Sequence, residues 1–331
     1  MQDAQLLPKG SKPTIGVDLM GSDTPPEDLF QAVAALLLEN TGVDLVLFAS
    51  KEVAGELNRS YPIVECSEVI EMEDDPISAV RRKKDSTLCQ GIRYLNEKKI
   101  DAFVSAGNTG ALLLASKTTL STLPGINRPA LLTLLPTKKR EVAVLDIGAN
   151  LTLKSTHILE FAAMGIAYQK SRGVENPTVG LLNIGTEAKK GTPQLREAYM
   201  KLDSLNRETM VFVGNVEGKD VFHGGIDVLV CDGFTGNIFL KTAEGIAAFI
   251  LEQLEFTSSQ TSFSHLQHEL ASLKSRLHYA EFPGAILCGV DGVVVKCHGD
   301  SSPEAFLNGI KGAVRLVEHR FLDKIKAQLI K

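Results

Sequence analysis

The stretch AFVSAGNTGALLLASKTT at residues 102–119 decides the fold prediction. Residues 102–104 are apolar and β-prone, residues 105–110 form a loop rich in glycine and asparagine, and residues 111–119 return to a helical pattern. A strand that runs through such a loop into a helix is the repeating unit of parallel α/β folds. The start of the helix also offers backbone N–H groups to an anion.

The same alternation of strand and helix continues along much of the chain. Strands that are apolar at nearly every position are typical of a sheet that is buried on both faces. We therefore predict an α/β fold with a mainly parallel sheet flanked by helices, in which ligands bind beyond the carboxyl ends of the strands. Apolar runs that predict further strands lie at residues 14–17, 43–48, 63–66, 129–135, 142–146, 178–183, 211–213, 228–231, 285–287 and 293–296.

The two ends of the chain and one internal segment differ from this pattern. We predict a flexible leader at residues 1–12 and a single α/β domain over residues 13–331, whose last helix runs from 303 to about 330. An inserted helical hairpin is predicted at about residues 243–280, with apolar residues spaced by three and four over 263–277. Packing on the core, a dimer contact and a membrane-surface face all remain open for it.

The composition argues against several classes of protein. A net charge of −5 and an aromatic content of 6% disfavour a nucleic-acid binder, which needs a basic face or stacking platforms. Apolar runs stay shorter than the ~20 residues of a membrane span. The five cysteines are odd in number and widely spaced, which favours reduced thiols in a cytoplasmic protein.

Several loops share a design in which glycine accompanies asparagine, serine or threonine. Glycine lets backbone amides approach a ligand, and the polar side chains donate hydrogen bonds, so the set predicts an anion site. The loops contain neither GxGxxG nor GxxxxGK[ST], and no histidine or cysteine cluster has metal-ligand spacing, so we expect no cofactor and no metal. The loops are DLMGSD (18–23), SAGNTGA (105–111), DIGAN (146–150), NIGTE (183–187), GNVEG (214–218), DGFTGN (232–237) and HGDSS (298–302).

Cationic residues lie near two of these loops, whereas a covalent nucleophile is not indicated. The run at 81–84 is typical of a solvated face, although two of its members could point into an anion cleft or meet an acidic partner. Lys189 and Lys190, just after NIGTE, are better placed, and a lysine there could neutralise charge on a transferring group. The chain has no GxSxG elbow and no cysteine beside a plausible histidine.

Read in order, the loops resemble the PlsX family, the phosphate:acyl-acyl-carrier-protein acyltransferases of bacterial phospholipid synthesis. The resemblance covers nearly the whole chain from about residue 14. Two loops depart from the family pattern, at Ser22 and at Asp300. The matching stretches are D-x-MG-x-D at 18–23, AVRRKK at 79–84, SAGNTGAL at 105–112, INRPAL at 126–131, GLLNIGTEAKKG at 180–191, GN-x-E at 214–217 and DGFTGNIFLKT-x-EG at 232–245.

This resemblance implies a reaction, a fold and partners. The reaction moves a fatty acyl group from acyl carrier protein to inorganic phosphate and gives acyl phosphate for glycerophospholipid synthesis. The fold is similar to isocitrate dehydrogenase and phosphotransacetylase. The resemblance also implies a cytoplasmic homodimer, with peripheral membrane contact and a downstream acyltransferase as further expectations.

Site residues are assigned on the matching motifs. Lys190 is expected to stabilise charge, Asn108 to bind phosphate or carbonyl oxygen, and Asp232 to order the site or accept a proton. Phosphate near neutral pH is itself a nucleophile, so orientation and electrostatics could supply most of the effect. The residues expected to bind substrate are Asp18, Asp23, Arg81, Arg82, Thr109, Gly110, Asp146, Asn150, Asn183, Thr186, Glu187 and Asn237.

Three alternatives stay open at the level of sequence. A phosphotransacetylase-like enzyme would use acyl-coenzyme A as the donor. A dehydrogenase of the isocitrate type shares the architecture but needs clustered aspartates for a divalent metal, and these are not found. A binding module without enzymatic activity leaves the number of ligand-type loops unexplained.

Overall fold

The structure of the protein is a computed structural model that describes residues 12–38, 42–57, 61–205, 210–259 and 284–329. The chain forms two compact units, Met1–Ser121 with Gly292–Leu322, and Thr122–Asp291 with Asp323–Lys331. Most of the predicted leader, and the predicted hairpin beyond residue 259, lie outside the described residues.

The first unit contains a parallel sheet in the order β3-β2-β1-β4-β11. All of its strands end at one edge because all of them run in the same direction. The strands are β1 Thr14–Asp18, β2 Asp44–Ser50, β3 Ile63–Cys66, β4 Ala102–Ser105 and β11 Val293–Lys296, and the helices are α1 Pro26–Leu38, α2 Lys51–Glu56, α3 Pro76–Arg82, α4 Thr87–Asn96, α5 Thr109–Thr119 and α10 Pro303–Glu318.

The second unit contains a mixed sheet in the order β10-β5-β6-β9-β7-β8. The pairs β10–β5 and β5–β6 are antiparallel, whereas β6, β9, β7 and β8 are mutually parallel and end at one edge. The strands are β5 Ala130–Leu135, β6 Val142–Leu145, β7 Thr178–Leu182, β8 Val211–Val216, β9 Val228–Val230 and β10 Ala285–Cys288, and the helices are α6 Ser155–Ser171, α7 Pro193–Ser204, α8 Gly218–Val221, α9 Gly233–Ser259 and most of α11 Phe321–Leu329.

Local sequence signals explain where several helices begin. The side chains of Asp75, Asn108 and Thr192 each accept a hydrogen bond from a backbone N–H in the first helical turn. Pro76 and Pro193 occupy first helical positions, where a missing N–H costs nothing. Most strand pairs in the two units are parallel, and helices alternate with the strands along the chain. The predicted α/β architecture with a mainly parallel arrangement is confirmed.

Some predicted boundaries were wrong. The predicted last helix is two helices, because the chain turns at His319 and Arg320, whose φ of 52° is left-handed and ends a helix. The helix that carries the cationic run ends at Arg82, so Lys83 and Lys84 lie beyond it. Helices α2 and α8 were not predicted, because short helices give little periodicity.

Two glycines within helices give a matched test of packing in the second unit. A Cβ on Gly165, in α6, would overlap Cγ1 of Val228 and lie 3.0 Å from Cδ1 of Leu145, whereas a Cβ on Gly245, in α9, meets nothing within 4 Å. Gly165→Ala should lower the free energy of unfolding by about 1–2 kcal/mol, because overpacking outweighs the gain in helix propensity. Gly245→Ala should raise it by about 0.5–1 kcal/mol.

Thermal or urea unfolding of both variants measures this difference. Equal shifts in the two variants would contradict close packing of α6 against β6 and β9.

Candidate active site

In each unit the polar loops follow strands that end at the same edge of its sheet. In the first unit, loops follow β1, β4 and β11, and we call residues 18–23, 105–110 and 297–301 the first loop cluster. In the second unit, loops follow β6, β7 and β9, and we call residues 146–150, 183–191 and 232–237 the second loop cluster. The predicted location of ligand-type loops at strand ends is thus found in both units.

Asp18 is the buried centre of the first loop cluster. Its carboxylate accepts a hydrogen bond from Ser105 Oγ at 2.8 Å and from the N–H of Met20 at 3.1 Å. Ser105 Oγ in turn accepts the N–H of Gly107 at 3.1 Å. Asp18 therefore links the start of one loop to the start of another and helps fix the backbone that leads to Asn108.

Lys296 lies at the end of β11 and is buried beside this network. Its Nζ donates hydrogen bonds to the carbonyl oxygens of Ala106, at 3.2 Å, and Cys297. Burial raises the pKa of Asp18 to about 6, while hydrogen bonds from Thr87, Ser105 and Met20 and the charge of Lys296 oppose that rise. Neither Lys296 nor Ser105 is among the site residues predicted from the sequence, although a lysine at the end of the apolar run VVVK was a usable signal.

The side chain of Asn108 is committed to hydrogen bonds within the protein. Its Oδ1 accepts the N–H of Ala111 at 3.0 Å, which caps α5. Its Nδ2 donates to the carbonyl oxygens of Glu71, Met72 and Asp74 at 3.2, 2.9 and 3.1 Å. The geometry gives Asn108 a positioning role, because it joins residues 71–74 to the loop that opens α5.

Thr109 and Gly110 follow Asn108 in the first turn of α5, and both are half-buried. Asp23 is exposed, and its N–H donates to the carbonyl oxygen of Gly299 at 2.9 Å. This bond joins the first and last loops of the cluster.

In the cationic run at 81–84, Lys83 bonds to other residues of the protein, whereas Arg81 and Arg82 are exposed to solvent. Lys83 Nζ donates to Asp74 Oδ2 at 2.6 Å and to the carbonyl oxygen of Val69 at 2.7 Å. The hydrogen bond from Lys83 lowers the pKa of Asp74. Arg81 and Arg82 are exposed in the last turn of α3, where they are available to an anionic ligand or partner.

Asp146 occupies the corresponding position in the second loop cluster, directly after β6. Its fully buried carboxylate accepts the backbone N–H groups of Leu131, Gly148, Ala149 and Asn150 at 3.0, 3.2, 3.0 and 2.7 Å, and the side-chain amide of Asn150 at 2.9 Å. Burial raises the pKa of this carboxyl, and the N–H donors oppose the rise. The carboxylate determines the path of the loop at 147–150.

The start of α9 packs directly on that loop. The N–H of Gly233 donates to the carbonyl oxygen of Asn150 at 2.9 Å, and Asn237 Nδ2 donates to the carbonyl oxygen of Ile147 at 3.0 Å. A Cβ on Gly236 would overlap the carbonyl oxygen of Asp146, so glycine permits this approach. The structure thus brings together four predicted residues: Asp146, Asn150, Asn237 and, in the same loop, Asp232.

Asp232 is half-buried at the start of α9. Its Oδ1 accepts the N–H of Thr235 at 2.9 Å, and its Oδ2 accepts the hydroxyl of Thr235 at 2.7 Å. These bonds hold the first turn of α9 against Asp232.

Asn183, directly after β7, and Asn215, within β8, join the loop that follows β7 to strand β8. Asn183 Nδ2 donates to Asn215 Oδ1 at 3.1 Å and to the carbonyl oxygen of Lys190 at 3.2 Å. Asn215 Nδ2 donates to the carbonyl oxygen of Glu187 at 2.8 Å. Asn215 belongs to the predicted GNVEG loop but is not among the predicted site residues, because its role depends on the pairing of β7 with β8.

The loop held by this amide pair presents its charged residues to solvent. Thr186, Glu187 and Lys190 are exposed, and Lys190 Nζ lies 3.8 Å from Glu187 Oε1. The side chain of Lys190 is therefore accessible to a ligand, while its backbone carbonyl oxygen accepts from Asn183 and helps to fix the loop. The catalytic and binding roles of all these residues remain predictions.

The side chains limit the chemistry of the site. Cys66, Cys231, Cys288 and Cys297 are buried, and burial raises the pKa of each thiol, to about 12 for all but Cys231. Such thiols are poor nucleophiles at neutral pH. Within the described part of the chain, no group of three histidine, cysteine or carboxylate side chains could hold a metal ion. The other polar groups of the predicted site residues are backbone N–H groups, side-chain amides, carboxylates, hydroxyls, lysine and arginine.

Comparison with known proteins gives close relatives over nearly the whole chain. A family model described as "Fatty acid synthesis protein" matches residues 13–324. The phosphate acyltransferase of Caldicellulosiruptor saccharolyticus is 42% identical over 329 residues, which cover 95% of this chain and 98% of the relative. The phosphate acyltransferase of Chlamydia abortus has the same identity and coverage.

Solved structures with low sequence identity share the fold. A phosphotransacetylase from Streptococcus pyogenes superposes with a TM-score of 0.62 at 18% identity, covering 93% of this chain and 95% of its own. A branched-chain phosphotransacylase from Enterococcus faecalis gives 0.58 at 16% identity, with 92% and 99% covered. A 4-hydroxythreonine-4-phosphate dehydrogenase from Klebsiella pneumoniae gives 0.55 at 13%, with 92% and 100% covered.

The buried carboxyl of Asp18 should make stability depend on pH. Its pKa is raised from 3.8 to about 6, so between these values the folded protein holds a proton that the unfolded chain has released. The contribution of Asp18 to stability therefore falls as the pH rises through this interval, by up to about 3 kcal/mol.

Urea unfolding of the wild type and of Asp18→Asn across a pH series measures this contribution. As the pH rises from about 4 to about 7, the free energy of unfolding of the wild type should fall relative to that of Asp18→Asn. Parallel curves for the two proteins would contradict the raised pKa.

Proposed function

The chain belongs to the family described as "Fatty acid synthesis protein", and its relatives include phosphate acyltransferases. We propose that it transfers a fatty acyl group from acyl carrier protein to inorganic phosphate. Transfer of an acyl group to phosphate follows from relatives that are 42% identical over almost their entire length. Acyl carrier protein as the donor is supported by the resemblance of the ordered loop motifs to the PlsX family.

The proposed reaction needs no nucleophile from the protein. An oxygen of hydrogen phosphate attacks the thioester carbonyl carbon, a C–O bond forms, and the C–S bond breaks. The proton of hydrogen phosphate passes to the departing thiolate, so the products are acyl phosphate and the free thiol of the carrier. This chemistry fits loops that offer N–H donors and an exposed lysine, and buried thiols that titrate far above neutral pH.

Each predicted residue has a role in this scheme. In the second unit, Lys190 stabilises negative charge on phosphate or on the carbonyl oxygen, and Thr186 binds phosphate oxygens. In the first unit, Thr109 and Gly110 at the start of α5 keep their predicted role of binding phosphate or carbonyl oxygen. Asp18, Asn108, Asp146, Asn150, Asn183 and Asn237 position the loops, because their polar atoms already bond to the protein. Asp232 orders the start of α9, Glu187 holds Lys190, and Asp23, Arg81 and Arg82 remain available to phosphate or to the acidic carrier.

Lys190 provides the sharpest test, because Lys189 is an adjacent exposed lysine and serves as a matched control. With hexadecanoyl-acyl carrier protein and phosphate as substrates, Lys190→Ala should lower kcat/KM by about 100-fold, as expected for loss of a transition-state charge partner. Lys189→Ala should have little effect. Release of free thiol and formation of acyl phosphate are measured together.

Equal rates for Lys190→Ala and the wild type would remove Lys190 from the site. The same assay with hexadecanoyl-coenzyme A separates the phosphotransacetylase-like alternative, which predicts equal or better use of that donor. Acyl phosphate is a reactive anhydride, so a downstream acyltransferase in the cytoplasm is the expected consumer.

An exposed apolar stripe on α9 supports the proposed homodimer. Ile246, Phe249, Ile250 and Phe256 are 56%, 59%, 46% and 64% exposed and recur at helical spacing. Large apolar side chains in such a row usually mark an interaction surface. By length and composition alone, the segment Gly233–Leu254 is also apolar enough to enter a membrane. Peripheral membrane contact is therefore the competing use of the stripe.

Replacing two residues of the stripe tests the homodimer. Phe249→Ser combined with Ile250→Ser should convert a dimer to a monomer in light scattering, whereas Met200→Ser, at a 65% exposed site on α7, should not. A dimer that survives the double replacement would contradict this surface. Loss of co-sedimentation with anionic lipid vesicles, without a change in mass, would assign the stripe to the membrane instead.

A further inference from the structure

Large apolar side chains are exposed beside the polar residues of the second loop cluster. Leu151, Ile184 and Phe234 are 68%, 80% and 59% exposed. Leu151 follows Asn150, Ile184 follows Asn183, and Phe234 lies two residues after Asp232. The pattern therefore recurs on all three loops of the cluster.

These loops are neighbours in space. Strands β6, β9 and β7 are adjacent and parallel, so their loops leave the same edge, and β6 and β7 lie about 10 Å apart at ordinary strand spacing. The N–H of Gly233 donates to the carbonyl oxygen of Asn150 at 2.9 Å. Leu151 and Phe234 therefore extend from two segments in direct contact.

The backbone around these side chains is held in place. Asn183 Oδ1, on a buried side chain, accepts the N–H of Ile184 at 2.9 Å. Ile238 lies one helical turn after Phe234 and is 52% exposed. We call Leu151, Ile184, Phe234 and Ile238 the apolar rim.

Exposure of four large apolar side chains beside a polar cluster is unfavourable in water unless a ligand covers them. A substrate with a polar head and an alkyl tail fits this juxtaposition, because its head can meet the amides and Lys190 while its tail covers the rim. We propose that the apolar rim binds the alkyl chain of the fatty acyl substrate. This inference rests on the proposed function and locates the acyl subsite in the second unit.

The position of the apolar rim makes it a determinant of the preference for long over short acyl chains. The first carbons of the acyl group remain near the polar residues, so a short chain gains little from the rim. Each further methylene that leaves water adds roughly 0.8 kcal/mol, which is about fourfold in binding. A long chain therefore depends on these side chains more than a short chain does.

The test compares hexadecanoyl and butanoyl thioesters of acyl carrier protein as donors. In the double variant Leu151→Ser with Ile184→Ser, the ratio of kcat/KM for the long donor to that for the short donor should fall by about tenfold or more. The matched control is Met200→Ser, an exposed apolar residue on α7, for which the ratio should not change. Phe234→Ser tests the rim from the neighbouring loop and should lower the same ratio.

The outcomes separate the subsite from the proposed function. A wild type that forms no acyl phosphate from either donor overturns the proposed function and, with it, the subsite. A wild type that is active, with an unchanged ratio in both rim variants, overturns the subsite alone. Equal losses for the two donors, or a change of oligomeric mass or of circular dichroism, would show that these side chains support the structure or an interface, and would also overturn it.

Discussion

A buried aspartate at the end of a strand controls the loops of each unit. Asp146 accepts five N–H hydrogen bonds in the second unit, and Asp18 accepts from Ser105 and from Met20 in the first. Both carboxylates accept the N–H of the residue two positions further along, so the chain turns sharply as it leaves the strand. Burying a carboxylate is costly, and these donors offset that cost only while the loop keeps its conformation. The loop geometry and the buried charge therefore depend on each other.

This arrangement divides the polar residues into two groups. Asn108, Asn150 and Asn183 use their amides to hold neighbouring segments, and their donors are directed to carbonyl oxygens of the protein. Other predicted residues stay accessible to a ligand, and Lys190 is the clearest among them. An enzyme that works by orientation and electrostatics needs such a division, because donors must already be fixed when negative charge develops on the substrate.

The second unit also combines polarity with exposed apolar surface. Its loops place leucine, isoleucine and phenylalanine directly beside asparagine and aspartate, and α9 continues the apolar surface away from the site. A substrate with a charged head and an alkyl tail accounts for the first juxtaposition. The apolar stripe on the later part of α9 lies farther along the helix from the polar residues, and it serves the proposed homodimer contact instead. One helix thus connects the proposed chemistry to the proposed assembly.

Sequence alone determined the α/β class, the position of ligand-type loops at strand ends and the family, because strand and helix periodicity and ordered loop motifs are local properties of the chain. The break at Arg320 and the short helices were missed because their signals are weak. Only the tertiary structure decided which predicted residues form hydrogen bonds within the protein. The carbonyl oxygens that accept from Asn108 Nδ2 lie more than 30 positions away in the sequence, and the acceptors of Asn183 Nδ2 include Asn215. The tertiary structure also revealed Lys296 and the apolar rim, because burial and exposure are set by packing between segments that are distant in sequence.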